Sequence, residues 1–475
     1  MSNLMPIYFF RYMSINIHSK KGAISLGAVR VYGTMPAAKA VAIIRKRLQL
    51  FGLDLDKDVV SSTTDGASVM KSFGRMTSPQ HVQCMSHGIH LAVCDVLYQA
   101  KDVDVPSQPK RLKVNEERDK DGNDDGDDDG DGGDGDGDDD GDDGDGDNEN
   151  DVDLSPDYES IIEKVRSLVR TFKYSPVKNE ENLQRYVVQS NGQEYSLFLD
   201  CKTRWSSILT MLQRFRYLKK ELECALIQIN KTFDFSNNEI SAIEEIIKAL
   251  EPIKAAIDAL GADDSDLVVS EKIIKFVMMK LQKNKSSIGK KLYEAFRKRV
   301  GQRRNTYLIH LMEYLKNPSF VKNTHDHMGE RIRKKDILRL AMEFAERLFP
   351  VTEQEERTSP PLPSPPTSTA FTPSTAKNEL YSFLATNELV DENESHHSSG
   401  SSRVMTQAMR LYETSGERPP LLEKLYQAIA TIKPTSVEAE RAFSALGYFC
   451  TKQRNRLGPK TLDVLIFLRH YYSRK

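Results

Sequence analysis

The chain of 475 residues has a strand-like pattern of apolar and polar positions at its beginning and a helical pattern over most of the rest. Arg11–Ser19 and Ile24–Tyr32 are short runs of strand character with a Lys/Gly turn between them, which predicts a hairpin. Asp58–Thr64 is typical of a further strand, which ends at Asp65. Ala37–Phe51 is predicted to be a helix with an apolar face of Val41, Ile44, Leu48 and Phe51. The N-terminal part is therefore predicted to be mixed α/β.

The pattern after residue 155 predicts a helical domain. One helical face collects Ile161, Val165, Leu168, Val169 and Phe172, and another collects Ile240, Ile243, Ile247 and Leu250. Further helices are predicted at Ile273–Leu281, Leu292–Val300, Leu308–Leu315 and Ile337–Leu348. This places an all-α domain between residues 155 and 350.

Two segments interrupt the pattern. Residues 119–153 hold 19 Asp, one Glu and one Lys and have almost nothing apolar to bury, so residues 101–154 are predicted to be a disordered acidic insert. Residues 351–402 form a Pro/Ser-rich linker, in which Lys377–Leu389 alone has the spacing of a short helix. The chain as a whole carries −2 and the acidic run −19, so the remainder carries +17. A basic body favours a polyanion such as DNA as partner, although scattered surface lysines give the same total.

The Asp/Gly run itself allows two interpretations. Its texture suggests calcium binding, but an EF-hand needs flanking helices and a bidentate Glu at its twelfth position, so weak cation binding is favoured. A second hypothesis is that the run competes with DNA for the basic surface and inhibits DNA binding.

The composition also bears on the compartment. We find no signal peptide and no run of roughly 20 apolar residues, so no membrane partner is expected. The five cysteines are odd in number and unpatterned, which favours the nucleus or cytosol over a disulfide scaffold. Basic residues between Lys290 and Arg304 are typical of a nuclear import signal and equally of a solvated helix face.

Two acids are candidates for chemistry. In Lys433–Arg456, Thr435 and Glu438 have the T-x-x-E spacing of a capping box, in which the hydroxyl accepts from a first-turn amide and the glutamate reaches back. Glu440 has no such role, and without further support it is typical of a solvated helix acid. Asp65 follows a strand in TTDGAS, where a sheet edge presents a carboxylate to a metal, although Asp-Gly is also a common turn pair.

Both segments resemble signatures of the hAT family of DNA transposases. KPTSVEAERAFSALGYF is similar to the family's C-terminal signature, and TTDGASVM is similar to its second-aspartate motif. The resemblance implies an α/β, RNase H-like fold in which three acids, distant in sequence, hold two Mg²⁺ ions for in-line phosphoryl transfer on DNA. It makes Asp65 the second acid and Glu440 the third, separated by a large all-α insertion domain, with C-terminal helices completing the core.

The motif Cys84-Met85-Ser86-His87 resembles the family's C/D-x-x-H motif, which implies that Cys84 and His87 contact DNA. The same residues, with His90 and Cys94, suggest zinc. Positions i, i+3, i+6 and i+10 of one helix cannot converge on one tetrahedral centre, so no zinc is expected.

The pair Arg204-Trp205 resembles the family's R-W motif. The resemblance implies that Trp205 stacks on a base flipped out near the cleavage point and that Arg204 contacts phosphate. The alternative is that Trp205, the one tryptophan of the chain, is a buried core residue.

The last segment, Leu457–Tyr472, has a broad apolar face that needs cover. The resemblance assigns residues 403–475 to the hAT C-terminal dimerisation region and the end of the RNase H-like domain, which implies a homodimer or higher homo-oligomer. Intramolecular packing is the alternative.

The remaining predicted domains are the N-terminal part of the RNase H-like domain at 1–100, the acidic insert at 101–154, the α-helical insertion domain at 155–350 and the linker at 351–402.

The family's first catalytic aspartate lies on a strand just before the segment matching Arg11–Ser19, and no Asp or Glu occurs before Asp54. We therefore expect the first strand and its acid to be missing, and the Cys/His set of a BED zinc finger is not found either. Losing a metal-bridging acid abolishes two-metal catalysis.

We therefore expect a domesticated, nuclear, transposase-derived protein that binds DNA, self-associates and is catalytically inactive. Mg²⁺ is expected as a cofactor only if the protein is active. The alternatives are a truncated copy or incomplete gene model of an active cut-and-paste transposase, and an interaction protein that no longer binds DNA.

Overall fold

The computed structural model of the protein describes residues 4–7, 10–100, 152–201, 205–349, 400–449 and 457–472. Nearly all of the predicted acidic insert and of the Pro/Ser-rich linker, including the helix predicted at Lys377–Leu389, lies outside the described residues. The same holds for Arg204.

The N-terminal part begins with an antiparallel sheet in the order β1-β2-β3. Its strands are β1 Leu4–Ile7, β2 Phe10–Ser19 and β3 Gly22–Val31. The β2–β3 pairing confirms the predicted hairpin. The expectation that the strand before β2 is missing is wrong, because β1 pairs with the first four residues of β2. It carries Leu, Met, Pro and Ile and hence no carboxylate.

The next segment alternates helices with short strands: α1 Ala37–Gln49, α2 Leu55–Asp58, β4 Ser61–Thr64, α3 Ser68–Arg75, β5 Gln80–Gln83 and α4 Met85–Leu97. The strands β4 and β5 are parallel and form a second sheet of two strands. The described strands therefore do not form one continuous sheet. Helix α1 buries the predicted residues Val41, Ile44 and Leu48, whereas Phe51 lies beyond its end and is exposed.

The helical part follows a small two-stranded sheet of β6 Tyr98–Ala100 and β7 Val152–Leu154. Its helices are α5 Pro156–Lys173, a π-helix Lys178–Gln184, α6 Arg185–Asn191, α7 Trp205–Tyr217, α8 Lys219–Gln228, α9 Asn237–Leu260, α10 Leu267–Lys283 and α11 Ser287–Arg303. They share one apolar core with α4. Apolar residues of α5 at helical spacing, such as Val165, Val169 and Phe172, point into this core and confirm the predicted face.

A second helical cluster follows, and it contains α12 Thr306–Lys316, a 3₁₀ turn Pro318–Lys322, α13 Lys334–Leu348, α14 Gly400–Ser415 and α15 Pro420–Ile429. The chain ends with α16 Val437–Phe449 and α17 Pro459–Tyr472. None of the helices within the described ranges is long and apolar enough to cross a membrane.

The C-terminal helices pack on the N-terminal sheet. Because successive side chains of a strand point to opposite faces, Met13 faces α1 while Tyr12 faces α16, where it contacts a cluster that includes Phe443. The backbone N–H of Ala28 donates to the Asp463 carboxylate of α17 at 2.9 Å. The first sheet thus lies between an N-terminal helix layer and the last two helices of the chain.

Candidate active site

Asp65 stands at the carboxyl end of β4. The preceding residues Ser62, Thr63 and Thr64 are buried, whereas Asp65 is half-buried and its Oδ1 accepts from the Ala67 amide at 3.2 Å. Gly66 has φ +92°, and a Cβ at this position would lie 2.9 Å from the Gln83 side-chain oxygen. Glycine is therefore what lets the chain turn sharply after the acid.

Glu440 lies in the first turn of α16. The neighbouring residues Ala439 and Phe443 are buried against the sheet, so Glu440 lies on a different side of the helix and reaches solvent. Crowding by surrounding protein atoms and the negative charge of Asp65 raise the pKa of the Glu440 carboxyl. Its side chain is not fully enclosed, so we attribute the shift to partial desolvation. The structure thus brings Asp65 and Glu440 together, although 375 positions separate them in sequence.

Hydrogen bonds to backbone carbonyls hold this pair together. The segment before α16 is bonded to the ends of β4 and β5: the Thr63 hydroxyl donates to the Lys433 carbonyl at 2.7 Å, and the Met85 amide donates to the Pro434 carbonyl at 2.9 Å. The Cys84 amide donates to the Thr64 carbonyl at 2.6 Å. The residues just before Asp65 and those just before Glu440 are therefore joined through a single set of contacts.

The Cys84 side chain belongs to that set. It is fully buried and its sulfur accepts from the Ser436 amide at 3.3 Å. Burial, followed by the charge of Glu440, raises the pKa of the Cys84 thiol. The structure therefore places Cys84 beneath the acid pair, where it supports α16, and not at a surface where its thiol meets DNA as expected from the motif.

His87 is half-buried on α4, and its ring stacks on that of His90 with centroids 6.3 Å apart. His90 contacts Cys94 through Nε2 and sulfur at 3.4 Å. Cys84 points to Ser436, so the four Cys and His residues of this helix do not share one centre. Within the described ranges, no three His, Cys, Asp or Glu side chains are grouped so as to hold a metal ion.

Trp205 begins α7 and is 2% exposed in the core of the helical part. This placement corresponds to the packing alternative. Stacking on a flipped base would require the ring to be uncovered. The structure does not bring Trp205 to the acid pair, and Arg204 lies outside the described residues.

The acid pair supplies part of what Mg²⁺ requires. One or two carboxylates, with waters and substrate phosphates, are a usual set of ligands for one Mg²⁺ ion, so Asp65 and Glu440 fit a single ion. Two ions need a further bridging acid. Neither β1 nor any other described element adds a third carboxylate to a metal-binding group with these two. The described residues therefore do not fit a two-metal centre.

The predicted capping box at the start of α16 is wrong. The Thr435 hydroxyl donates to the Leu260 carbonyl at 3.4 Å, and Glu438 accepts from Arg441 at 2.7 Å. The physical reason is that Thr435 is buried against the end of α9, where a long-range acceptor is closer than the first turn of its own helix.

Arg303 is a site residue that the sequence analysis recorded only as one of several basic residues. Its side chain from α11 passes over two glycines: a Cβ at Gly88 would lie 2.6 Å from Arg303 Cδ, and one at Gly66 would lie 3.5 Å from Nη2. Arg303 is buried and lies beside the turn that follows Asp65. No sequence signal distinguishes it from Arg297 or Lys298 on the same helix.

A separate apolar surface occurs on α17. Of its apolar residues, Leu462 and Ile466 are buried, while five others are exposed. The exposed set, called the α17 face below, consists of Val464, Phe467, Leu468, Tyr471 and Tyr472. Contiguous exposed apolar residues of this kind mark interaction surfaces.

Two protein-family models match the chain. Residues 156–249 match the ZBED1 RNase-like helical domain, which covers α5 to most of α9. Residues 379–472 match the hAT family C-terminal dimerisation region, which contains Glu440 and the α17 face. No curated protein matches the chain. The two family matches confirm the resemblance found in the motifs, and these two segments of the chain are similar to hAT-family, transposase-derived proteins.

Proposed function

We propose that this protein is a DNA-binding, self-associating hAT derivative that does not catalyse strand cleavage. The observation that carries the proposal is the pair of acids: Asp65 and Glu440 adjoin each other, and the strand β1 beside β2 supplies no third carboxylate. We further propose that the N-terminal sheets with α16 and α17 are an RNase H-like body, and that Mg²⁺ binding is limited to one ion.

DNA binding is supported by charge. The chain outside the acidic run carries +17, and Arg303 adds a guanidinium beside the acid pair. This buried cation offsets the charge of the two carboxylates, and the exposed basic residues of the same helix, Arg297 and Lys298, suit contact with phosphate. Arg204 and His87 remain proposed DNA contacts, whereas Cys84 and Trp205 act through packing. A DNA partner makes the nucleus the proposed compartment.

Self-association is supported by the match to the hAT dimerisation region and by the α17 face. We propose that two copies bury these faces against each other, because five exposed apolar side chains on one short helix gain free energy when water is removed from them.

The DNA-binding part is tested by measuring duplex affinity over a series of salt concentrations. We expect the logarithm of the association constant to fall linearly with the logarithm of salt concentration, because phosphate neutralisation releases counterions. Arg297→Ala, at an exposed position of α11, should weaken binding and reduce the slope by about one. Glu294→Gln, at an exposed position of the same helix, is the matched control, because it removes no positive charge and should not reduce the slope. A flat salt dependence would instead indicate an interaction protein that no longer binds DNA.

A second candidate is an active Mg²⁺-dependent transposase whose third acid comes from an additional strand. The observation that favours it is a cavity of about 380 Å³ between β2 and β4, lined by Asn16, Ser61, Thr63 and Ser436 among others. In the described part of the chain, β4 pairs only with β5, and the Ser436 hydroxyl is buried with no hydrogen-bond partner. An extended segment fits such a space between strand edges. This candidate predicts metal-dependent cleavage.

A further inference from the structure

Three aromatic rings and one cation contact one another in series in the helical part. The Arg214 guanidinium lies over the Tyr195 ring at 4.9 Å and over the Phe198 ring at 5.0 Å. The Tyr195 ring in turn meets the Tyr217 ring edge to face, with centroids 5.5 Å apart. The resulting series Phe198, Arg214, Tyr195, Tyr217 is called the aromatic row below.

The aromatic row lines an open groove of about 700 Å³. Phe198 is 42% exposed and Tyr217 is 56% exposed, so the rings at both ends of the row present surface to the groove. Single exposed aromatic residues are common, whereas adjacent ones that line a groove are typical of interaction surfaces. Tyr195 packs against the core of the helical part, whereas the two end rings are exposed, unlike the buried Trp205.

The charges of the groove favour an anionic ligand. Arg214 and Arg216 both line it, and Glu251 is the one acid among its lining residues. Glu251 accepts a hydrogen bond from Gln213 at 2.9 Å, and Arg216 donates to Glu244 at 2.6 Å. The lining residues therefore carry two positive charges and one negative charge, and Glu244 partly offsets the charge of Arg216, so Arg214 is the main cation of the groove.

We propose that this groove binds unpaired nucleotides of a DNA strand. Bases stack on Phe198 and Tyr217, and Arg214 and Arg216 face the sugar-phosphate backbone. A positive groove that tracks a backbone, with aromatic faces for successive bases, is the general arrangement for single strands. A stacked duplex offers no free base faces, so the groove distinguishes single-stranded from double-stranded DNA. A proline-rich peptide also suits aromatic grooves, but it gains nothing from the two arginines.

The test is fluorescence anisotropy of a labelled 12-nucleotide oligothymidine with the full chain, beside a duplex of the same length. Phe198→Ala and Tyr217→Ala should each weaken single-strand binding about fivefold or more, because a base–aromatic stack is worth at least about 1 kcal/mol. Duplex binding should be unchanged in both variants. Tyr174→Ala is the matched control, because Tyr174 is exposed in the same domain but does not line the groove.

Unchanged single-strand affinity in both variants would overturn the proposal, as would a preference for a proline-rich peptide over the oligonucleotide. Circular dichroism of each variant shows whether it is folded. The proposal is independent of catalytic inactivity, and the duplex measurement separates its failure from failure of DNA binding as a whole.

Discussion

The Cys84 sulfur accepts a hydrogen bond from the Ser436 amide, and this contact joins two residues 352 positions apart. On one side, Cys84 continues from β5 and is bonded to the end of β4. On the other, Ser436 immediately precedes the helix that carries Glu440. A small buried side chain therefore helps to hold the two candidate acids at one place.

Replacing Cys84 by alanine should destabilise the protein by about 1–3 kcal/mol, because the Ser436 amide loses its acceptor in a buried position and a small cavity forms. Urea unfolding measures the change. Cys224→Ala is the control, since Cys224 is exposed on α8 and its loss should change stability by less than about 0.5 kcal/mol. Equal stabilities of the two variants would show that the Cys84 contact contributes nothing.

The buried salt bridge of Arg166 with Asp200 should contribute more to the free energy of unfolding than the exposed salt bridge of Arg170 with Glu163. Both side chains are buried, with Nε to Oδ1 at 2.8 Å. Arg166→Met leaves the Asp200 carboxylate buried without its guanidinium, which costs about 3–5 kcal/mol in free energy of unfolding. Arg170→Ala removes an exposed partner of Glu163 and should cost less than about 1 kcal/mol. Thermal and urea unfolding of both variants measure the contrast.

Glu440 should make stability depend on pH. Its pKa is raised in the folded state, so ionisation is disfavoured there relative to the unfolded chain. Stability is therefore lost as pH rises through the ordinary glutamate range and beyond. Glu440→Gln should be more stable than the original protein at neutral pH and equal to it well below pH 4.5, the ordinary pKa of the group.

Urea unfolding at several pH values checks this prediction, with Glu245→Gln as an exposed control. A Glu440→Gln variant that is less stable at neutral pH would mean that the folded protein stabilises the ionised carboxylate, which would contradict a pKa raised by burial and by the charge of Asp65.

The α17 face should carry self-association. Val464 is 54% exposed, so Val464→Asp leaves the fold intact while placing a charge in the proposed contact. Sedimentation velocity should show a shift towards monomer. Val177→Asp, at a position 59% exposed and outside the matched dimerisation region, should leave the oligomer unchanged. Dimers that survive Val464→Asp would place the contact elsewhere.

The spacing of apolar and polar residues correctly predicted those elements that depend on interactions between residues near in sequence. The β2–β3 hairpin and the buried face of α5 followed from residue spacing, because neighbouring residues determine both. The cap of α16 did not, since the Thr435 hydroxyl found an acceptor at the end of α9 rather than in its own helix. Tertiary contacts of this kind are not encoded in a four-residue spacing.

The candidate site likewise has features that the sequence predicted and features that depend on tertiary contacts. The proximity of Asp65 and Glu440 was expected from the resemblance, whereas the roles of Cys84, Trp205 and Arg303 required the structure. Cys84 and Trp205 are buried, which assigns them to packing and not to a DNA-facing surface. Arg303 is adjacent to the Asp65 turn because Gly66 and Gly88 leave room for its side chain, and both glycines are more than 200 positions away from it in sequence.

The central claim is tested most directly by incubating the purified chain with branched or hairpin-ended DNA and Mg²⁺ or Mn²⁺, beside Glu440→Ala, with binding followed in the same samples. The account predicts binding without strand cleavage by either protein. Metal-dependent cleavage that Glu440→Ala abolishes would contradict it and show that a third acid completes the site.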